Sequence, residues 1–494
     1  MEAGQPEESM HKPTRRTFLQ ATGLAAVSLG THLSVSGCQT ARRSSEQARK
    51  PNILFLLTDD QRNDALGCAG HPIIQTPIID GLAREGVRFE NAFVTTPICA
   101  ASRASVLTSS HDRTHGYTFN KPPVPAYLAR NSYPLLLRQA GYRTGFIGKY
   151  GCAMEISPNE LFDSYQVVGR NPYFHKQPDG SMRHETDLCA DAAIAFIEEH
   201  PSDRPFCLSV SFNAAHAEDG DKRPGIGHYP WPPSVEGMYE DVDVPMPRLS
   251  EREFFDPLPD FLKTSLNRKR YFWRWDTPEK YQTNMRAYFR MISGIDRAVG
   301  RIMVALARRA LADNTVVIYA GDNGYYMGDR GFAGKWTHYE QALRVPMMVF
   351  DPRLPAKRRH RVDPAMVLNI DVPATIVDLA GIEQPSTYQG LSLLPLVTGQ
   401  TSTNGRQDFF CEHLMDHNDI PKWEGVRGRR YVYARYFEQE PVYEFLHDLQ
   451  EDPDQRYNLA GRPEYLEILN KLRRRTDELQ HQYASQVVPP VKQE

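Results

Sequence analysis

Pro51-Asn52-Ile53-Leu54-Phe55-Leu56-Leu57-Thr58-Asp59-Asp60 is the stretch that decides the fold. Five consecutive apolar residues without polar alternation describe a strand buried on both faces, as in a parallel sheet. The strand ends in two adjacent carboxylates. In open α/β sheets the binding groups gather beyond the carboxyl ends of the strands. The same pattern returns three times. Thr144-Gly145-Phe146-Ile147 leads into Gly148-Lys149, Phe206–Phe212 into Asn213-Ala214-Ala215-His216, and Thr315–Tyr319 into Gly321-Asp322-Asn323-Gly324. Helical patterns separate these runs, the longest being Glu279–Leu311, with apolar residues at 288, 292, 295, 299, 302 and 306. The alternation predicts an α/β fold with a large central, mostly parallel mixed sheet flanked by helices.

Taken singly, an Asp-Asp or Asp-Asn after a strand is a turn or a helix cap. Four polar ends in one sheet form a cluster. Asp59, Asp60 and Asp322 with the amide oxygen of Asn323 make an oxygen-only donor set suited to Ca²⁺ or Mg²⁺. No His/Cys group at zinc spacing competes with it. Cys99 and Arg103 in Pro97-Ile98-Cys99-Ala100-Ala101-Ser102-Arg103 are four residues apart and share one face of a helix. A cysteine at a helix start sits where the backbone N–H groups favour an anionic centre.

The chain has 494 residues, 40% hydrophobic and 24% charged, which is globular composition with length for two or three domains. A net charge of -3 leaves no electrostatic footprint for nucleic acid. Seven scattered cysteines are not a disulfide framework, although one bridge such as Cys68–Cys152 stays open.

At the N-terminus, Thr14-Arg15-Arg16-Thr17-Phe18-Leu19-Gln20 precedes a short apolar stretch, 21 to 33. Twin arginines before such a stretch read as a bacterial twin-arginine export signal. The stretch is too short and too rich in Gly, Ser and Thr to span a membrane. Val35-Ser36-Gly37-Cys38 looks like a lipobox, with Cys38 acylated as the mature N-terminus. Residues 1–38 are then a signal and 39–50 a polar tether, with the protein lipid-anchored in the periplasm or outer membrane.

With these residues assembled, the chain resembles the type I, formylglycine-dependent sulfatases of the alkaline phosphatase superfamily. Cys99-Ala100-Ala101-Ser102-Arg103 resembles their modification signature. Asp59-Asp60 and Asp322-Asn323 resemble their divalent-metal set, with Cys99 as a further metal contact. Gly148-Lys149, His216, Gly334-Lys335-Trp336, Tyr339-Glu340 and Arg344-Val345-Pro346 resemble their sulfate-binding and downstream motifs. Asp371-Val372-Pro373-Ala374-Thr375 and Asp448–Pro453 extend the similarity from about residue 51 to about residue 460.

The resemblance implies that a maturation enzyme converts Cys99 to formylglycine, whose hydrate attacks sulfur with Ca²⁺ (alternatively Mg²⁺) lowering its pKa. It implies His216 as general acid or sulfate ligand, Lys149 and Lys335 as charge stabilisers of the sulfuryl oxygens, and Arg103 as the group that holds the diol. The second hydroxyl then lets the sulfated intermediate collapse without attack by water. Three positions depart from the family. Gly151 stands where a histidine commonly follows the lysine, with His111 or His115 as candidate replacements. Ala101 replaces a proline of the signature, and Thr108-Ser109-Ser110 a Thr-Gly-Arg.

Residues 51–400 are read as the catalytic domain, with 217–280 as a polar, Pro-rich insertion serving as a substrate lid. Its His228–Pro233 and Tyr271–Trp275 segments offer aromatics and arginines for sugar faces and anionic groups. Residues 401–494 are read as a smaller C-terminal domain of antiparallel sheet plus helix. There Arg430–Phe437 and Val442–Leu446 form a hairpin, and about 463 to 483 a terminal helix. Glu412-His413 is read as a turn, with a pocket-facing role as the other option, and Lys471–Arg475 as a solvated helix face. The expected function is sulfuric ester hydrolysis, exo-acting on sulfated carbohydrate. A phosphodiesterase or phosphonate monoester hydrolase, and a non-catalytic sulfated-glycan-binding lipoprotein, are the alternatives.

Overall fold

The computed structural model describes residues 50–119, 121–201, 203–220, 228–400 and 405–485. The expected export signal, its Cys38 and the tether up to residue 49 lie outside the described residues.

The run that opens the chain forms β1 (Asn52–Thr58), buried along its whole length. It sits centrally in an eight-stranded sheet with β2 (Val87–Phe93), β3 (Arg143–Gly148), β4 (Ser164–Val167), β5 (Phe206–Ser211), β6 (Thr315–Gly321), β7 (Met347–Phe350) and β8 (Arg361–Leu368). The order across the sheet is β8-β2-β7-β6-β1-β5-β3-β4. Only β7 runs antiparallel to its neighbours; the remaining pairs are parallel. The sheet is therefore mixed and mostly parallel, as the continuous apolar runs require.

Alternate residues of β1 enter two cores. Ile53, Phe55 and Leu57 pack with Val316, Ile318 and Phe93 on one face. Leu54 and Leu56 pack with Val317 and Tyr319 on the other. That second face is covered by α2 (Glu185–Glu198) and α4 (Pro278–Arg308), the latter through Tyr288, Ile292, Ile295, Val299, Ile302 and Leu306 at helical spacing. On the other side of the sheet, α1 (Cys99–Thr108) follows β2, is buried throughout and adds Val106 and Leu107 to the first core.

Register decides function here. Leu57 pairs with Ser211 and Ala320, and Gly148 pairs with Ser211. The ends of β6, β1, β5 and β3 are thus level, and the residues that follow them meet at one edge.

The insertion is not a loop without secondary structure. It carries α3 (Leu266–Arg274) and two short turns of helix, Arg252–Phe255 and Asp260–Lys263, before running into α4. Trp275 and Arg274 are buried.

The C-terminal part is a four-stranded antiparallel sheet, β9 (Asp408–His413), β10 (Trp423–Gly428), β11 (Tyr431–Tyr436) and β12 (Tyr443–Asp448), covered by α5 (Leu466–Ser485). The hairpin and the terminal helix fall where the sequence put them. Glu412 and His413 do not form a turn: they lie inside β9 and are buried, because the apolar neighbours Phe409 and Cys411 draw that segment into the core shared with the large sheet. The basic run is not merely solvated either, since Arg473 pairs with Glu444 and Arg475 with Asp408. Cys68 and Cys152 are free thiols, so they form no bridge. Among the described residues no helix is long and apolar enough to cross a membrane.

Candidate active site

Extended backbone at Ile98 turns into helix at Cys99, the first residue of α1. Cys99 is 5% exposed and occupies the first turn, whose N–H groups lack helical partners. One turn on, Arg103 projects from the same face and ties three strand ends together. Its Nε donates to Asp322 Oδ2 at 2.9 Å, and one terminal nitrogen to the Lys149 carbonyl at 2.7 Å and to Ser211 Oγ. These partners follow β6, β3 and end β5. Arg103 therefore positions the edge of the sheet as well as facing Cys99.

Asp59 and Asp60 follow β1 and are buried. Lys149 Nζ bonds Asp59 Oδ2. Asp60 has a left-handed φ of 53°, and its backbone N–H donates to Asp322 Oδ1 at 3.2 Å. Asp60 Oδ1 accepts from Asn323 Nδ2 at 2.6 Å and from Lys335 Nζ. Three oxygens remain buried with no hydrogen-bond donor: Asp59 Oδ1, Asp60 Oδ2 and Asn323 Oδ1. Buried acceptors are rarely left unpaired, because each forfeits its hydration. A hard divalent cation would supply the missing partner, and oxygen donors suit Ca²⁺ or Mg²⁺. Asp59, Asp60 and His216 each offer a ligand atom within 4.8 Å of the others.

The protonation of His216 follows from its partners. Nδ1 lies 2.7 Å from the Ala217 carbonyl, which only accepts, so Nδ1 carries the proton. Nε2 then presents a lone pair, 3.4 Å from Asp60 Oδ2 and 3.4 Å from a terminal nitrogen of Arg170. Burial lowers the His216 pKa to about 4, against the pull of Asp60. Burial also opposes the Asp59 charge, yet Lys149, His216, Lys335 and Arg103 hold its pKa well below the ordinary value. Burial and the Asp59 charge push Asp322 up to about 6, against Arg103. Burial would neutralise Lys335, but Asp60 and Cys99 keep it charged. Three carboxylates (Asp59, Asp60, Asp322) thus face three cations (Arg103, Lys149, Lys335).

Lys335 is held from two sides. Asn267 of α3 donates to its carbonyl at 2.5 Å. Its neighbour Trp336, at φ 75°, donates its N–H to the Pro97 carbonyl at 3.2 Å and accepts from Trp423 Nε1 of β10 at 2.8 Å.

Gly151 also has a spatial cause. Its φ is +71°, and a Cβ there would stand 2.7 Å from Cδ of Arg103. No histidine fits while Arg103 lies across it. Neither suggested replacement hydrogen-bonds to the strand-end residues: His115 Nε2 meets Ser105 Oγ at 3.0 Å, and His111 meets Gln389 and stacks on Tyr483 at 3.8 Å. Burial leaves both neutral, at about 3 and about 4.

Sequence reasoning brought Cys99, Arg103, Asp59, Asp60, Lys149, His216, Asp322, Asn323 and Lys335 to one edge. It missed Arg170, Asp219 and Asn267. Arg170 follows β4, a half-exposed strand with no continuous apolar run to announce its end. Asp219 had a signal, lying three residues beyond His216. Asn267 had none, because its importance is a contact across 68 residues.

The family model described as Sulfatase matches residues 51–382. A second model, N-sulphoglucosamine sulphohydrolase, C-terminal, matches 328–482. The chain is 27% identical over 510 residues to an N-acetylglucosamine-6-O-sulfatase of Bacteroides thetaiotaomicron, covering 91% of this chain and 89% of that protein. Its fold matches a structure solved in complex with its substrate D-glucosamine-2-N,6-O-disulfate, at TM-score 0.76 and 23% identity, covering 90% of this chain and 100% of the other. It also matches a phosphonate monoester hydrolase of Silicibacter pomeroyi, at TM-score 0.72 and 20% identity, covering 88% and 96%.

Proposed function

The chain belongs to the sulfatase family, and on that premise we propose that it removes sulfate from sulfated carbohydrates with a formylglycine derived from Cys99 and a Ca²⁺ ion. The observation that carries this reading is the trio of donorless buried oxygens, Asp59 Oδ1, Asp60 Oδ2 and Asn323 Oδ1, at the strand ends that Arg103 ties to the Cys99 helix. Asp59, Asp60, Asp322 and Asn323 hold the ion, with His216 beside them. When bound, the ion and the modified residue together supply an acidified nucleophile at neutral pH.

The chain's own residues do the rest. Lys149 and Lys335 place ammonium groups where the sulfuryl oxygens gain negative charge. Lys149 is held at the edge by Asp59 and Lys335 by Asp60. His216 presents the unprotonated Nε2 to the reacting group, where it takes the proton of the attacking hydroxyl and passes it to the departing alcohol oxygen. Arg103 fixes the spacing between α1 and the three strand ends. The sugar assignment is supported by the relative that acts on N-acetylglucosamine 6-O-sulfate and by the arginine- and tryptophan-bearing insertion.

We read residues 51–400 as the catalytic domain and 401–494 as a smaller domain sharing its core, with export by the twin-arginine route and a lipid anchor at Cys38. Release of a Cys38→Ala protein from the membrane fraction checks the anchor.

Mass spectrometry of the peptide bearing residue 99, on protein from a host with the maturation enzyme, tests the chemistry. Formylglycine is expected; an unmodified thiol in active protein overturns the mechanism. Faster turnover of aryl phosphodiesters than of aryl sulfates would shift the reading to the phosphonate monoester hydrolase type.

A further inference from the structure

Beside the catalytic edge, two guanidinium groups pair with one carboxylate and a third stands near it. Arg274 donates to Asp219 Oδ1 at 2.5 Å and Arg270 to Oδ2 at 3.2 Å. Arg170 stands on the His216 side, 3.4 Å from Nε2 and within electrostatic reach of Asp59, Asp219 and Cys99. The catalytic charges are already matched three against three. Here, among the described residues, three guanidinium groups stand against the carboxylate of Asp219. Among the described residues, no carboxylate lies within ion-pair distance of Arg170, and Asp219 is the one that pairs with Arg270.

The unpaired donors point the same way. Nε of Arg270, and Nε and one terminal nitrogen of the 1% exposed Arg274, are buried without a hydrogen-bond acceptor. The Arg270 guanidinium lies over the Trp336 ring at 5.1 Å, one residue from Lys335. Asn267, Arg270 and Arg274 recur at three and four residues on α3, so one face of that helix serves both Lys335 and Asp219. Arg274 offsets Asp219. Arg170 and Arg270 are left as two cations that the sulfate ester under attack does not need.

We propose that Arg170 and Arg270 form a subsite for a second anionic group on the substrate, a carboxylate or a further sulfate, so that the enzyme selects polyanionic sugars over singly sulfated neutral ones. The inference rests on the sulfatase reading and deepens it. Arginine suits the task because its planar fork binds carboxylate or sulfate in two-point fashion. Arg270 is a specificity residue, and Arg170 serves the same group while touching His216.

The test compares kcat/KM on a monosulfated neutral sugar with that on the same sugar carrying a second sulfate or a carboxylate. The wild type is expected to prefer the dianionic sugar, with the steeper loss of kcat/KM as salt is raised. Arg270→Gln should cut that preference by about 10–100-fold, and Arg270→Lys should restore part of it. Arg170→Gln should lower both rates, the dianionic one more. No preference in the wild type, or equal loss on both sugars in Arg270→Gln, overturns the subsite. Absence of any sulfate-ester turnover by the wild type would instead strike the sulfatase chemistry, which distinguishes the two failures.

Discussion

Two buried charge clusters in this protein use the same residue types to opposite ends. One is the strand edge at Asp59, Asp60 and Asp322. The other is the seam where the short helix Asp112–His115 meets the C-terminal sheet. There Arg113 donates its backbone N–H and Nε to Glu412 at 2.9 and 3.0 Å and pairs with Glu424 at 2.5 Å, while Arg435 donates to Glu424 at 2.6 and 2.9 Å. Every carboxylate oxygen of Glu412 and Glu424 has a donor. At the strand edge three oxygens have none. Both clusters pay the desolvation of buried charge, but at the seam arginines close both glutamates and, of its carboxylate oxygens, only Asp112 Oδ2 lacks a donor, whereas at the edge three oxygens from three residues do. Satisfaction, more than burial or charge, separates a site from a staple.

Asp60→Asn strikes that distinction hardest. It should lower kcat/KM for an aryl sulfate by about 10²–10³-fold. It should also abolish the rise in Tm that Ca²⁺ gives the wild type, read by calorimetry with and without chelator. If Ca²⁺ stabilises neither protein, the open oxygens are not a cation site. Arg113→Ala should do the reverse. It leaves buried Glu412 without its cation, and Glu424 with Arg435 alone, and should cost about 3–5 kcal/mol of stability, while the folded fraction turns over substrate as the wild type does. A selective loss of kcat there would erase the contrast. Gly151→Ala couples both quantities: the left-handed backbone should cost about 1–2 kcal/mol, and displacement of Arg103 should lower kcat/KM by about 10–100-fold. Unchanged activity would free Arg103 from its positioning role.

The smallest effect concerns pH at the seam. Burial raises Glu412 to about 7 from its ordinary 4.5, with Arg113 opposing and Glu424 adding. The folded protein then binds more protons than the unfolded chain between those values. The stabilising contribution is complete below about pH 4.5 and lost as pH rises through about 7. Glu412→Gln should flatten that part of the stability profile, measured by denaturant unfolding at several pH values.

Much of the edge could be read from sequence because each piece is local. An uninterrupted apolar run names a buried strand, and the polar residue after it is at the edge by necessity. Asp59, Lys149, His216 and Asp322 were found that way. What could not be read depends on contacts between distant residues. Nothing in Arg103 announces that it crosses Gly151, nor in Asn267 that it holds the carbonyl of Lys335. The insertion seemed loop-like because the apolar residues of α3 are interleaved with arginines, whose partners are 51 and 55 residues away at Asp219. Glu412-His413 reads as a turn because polar residues end β9, and its partner β10 carries Glu424, Gly425, Arg427 and Gly428 among its six residues.

Helix α3 makes the insertion and the loop that carries Lys335 one mechanical piece, through Asn267 on one side and Arg270 and Arg274 on the other. Engineering by exchange of the whole insertion with that of another enzyme would therefore unseat Lys335. New selectivity has to be built side chain by side chain on the existing helix, with Asn267 left in place as the fixed bolt.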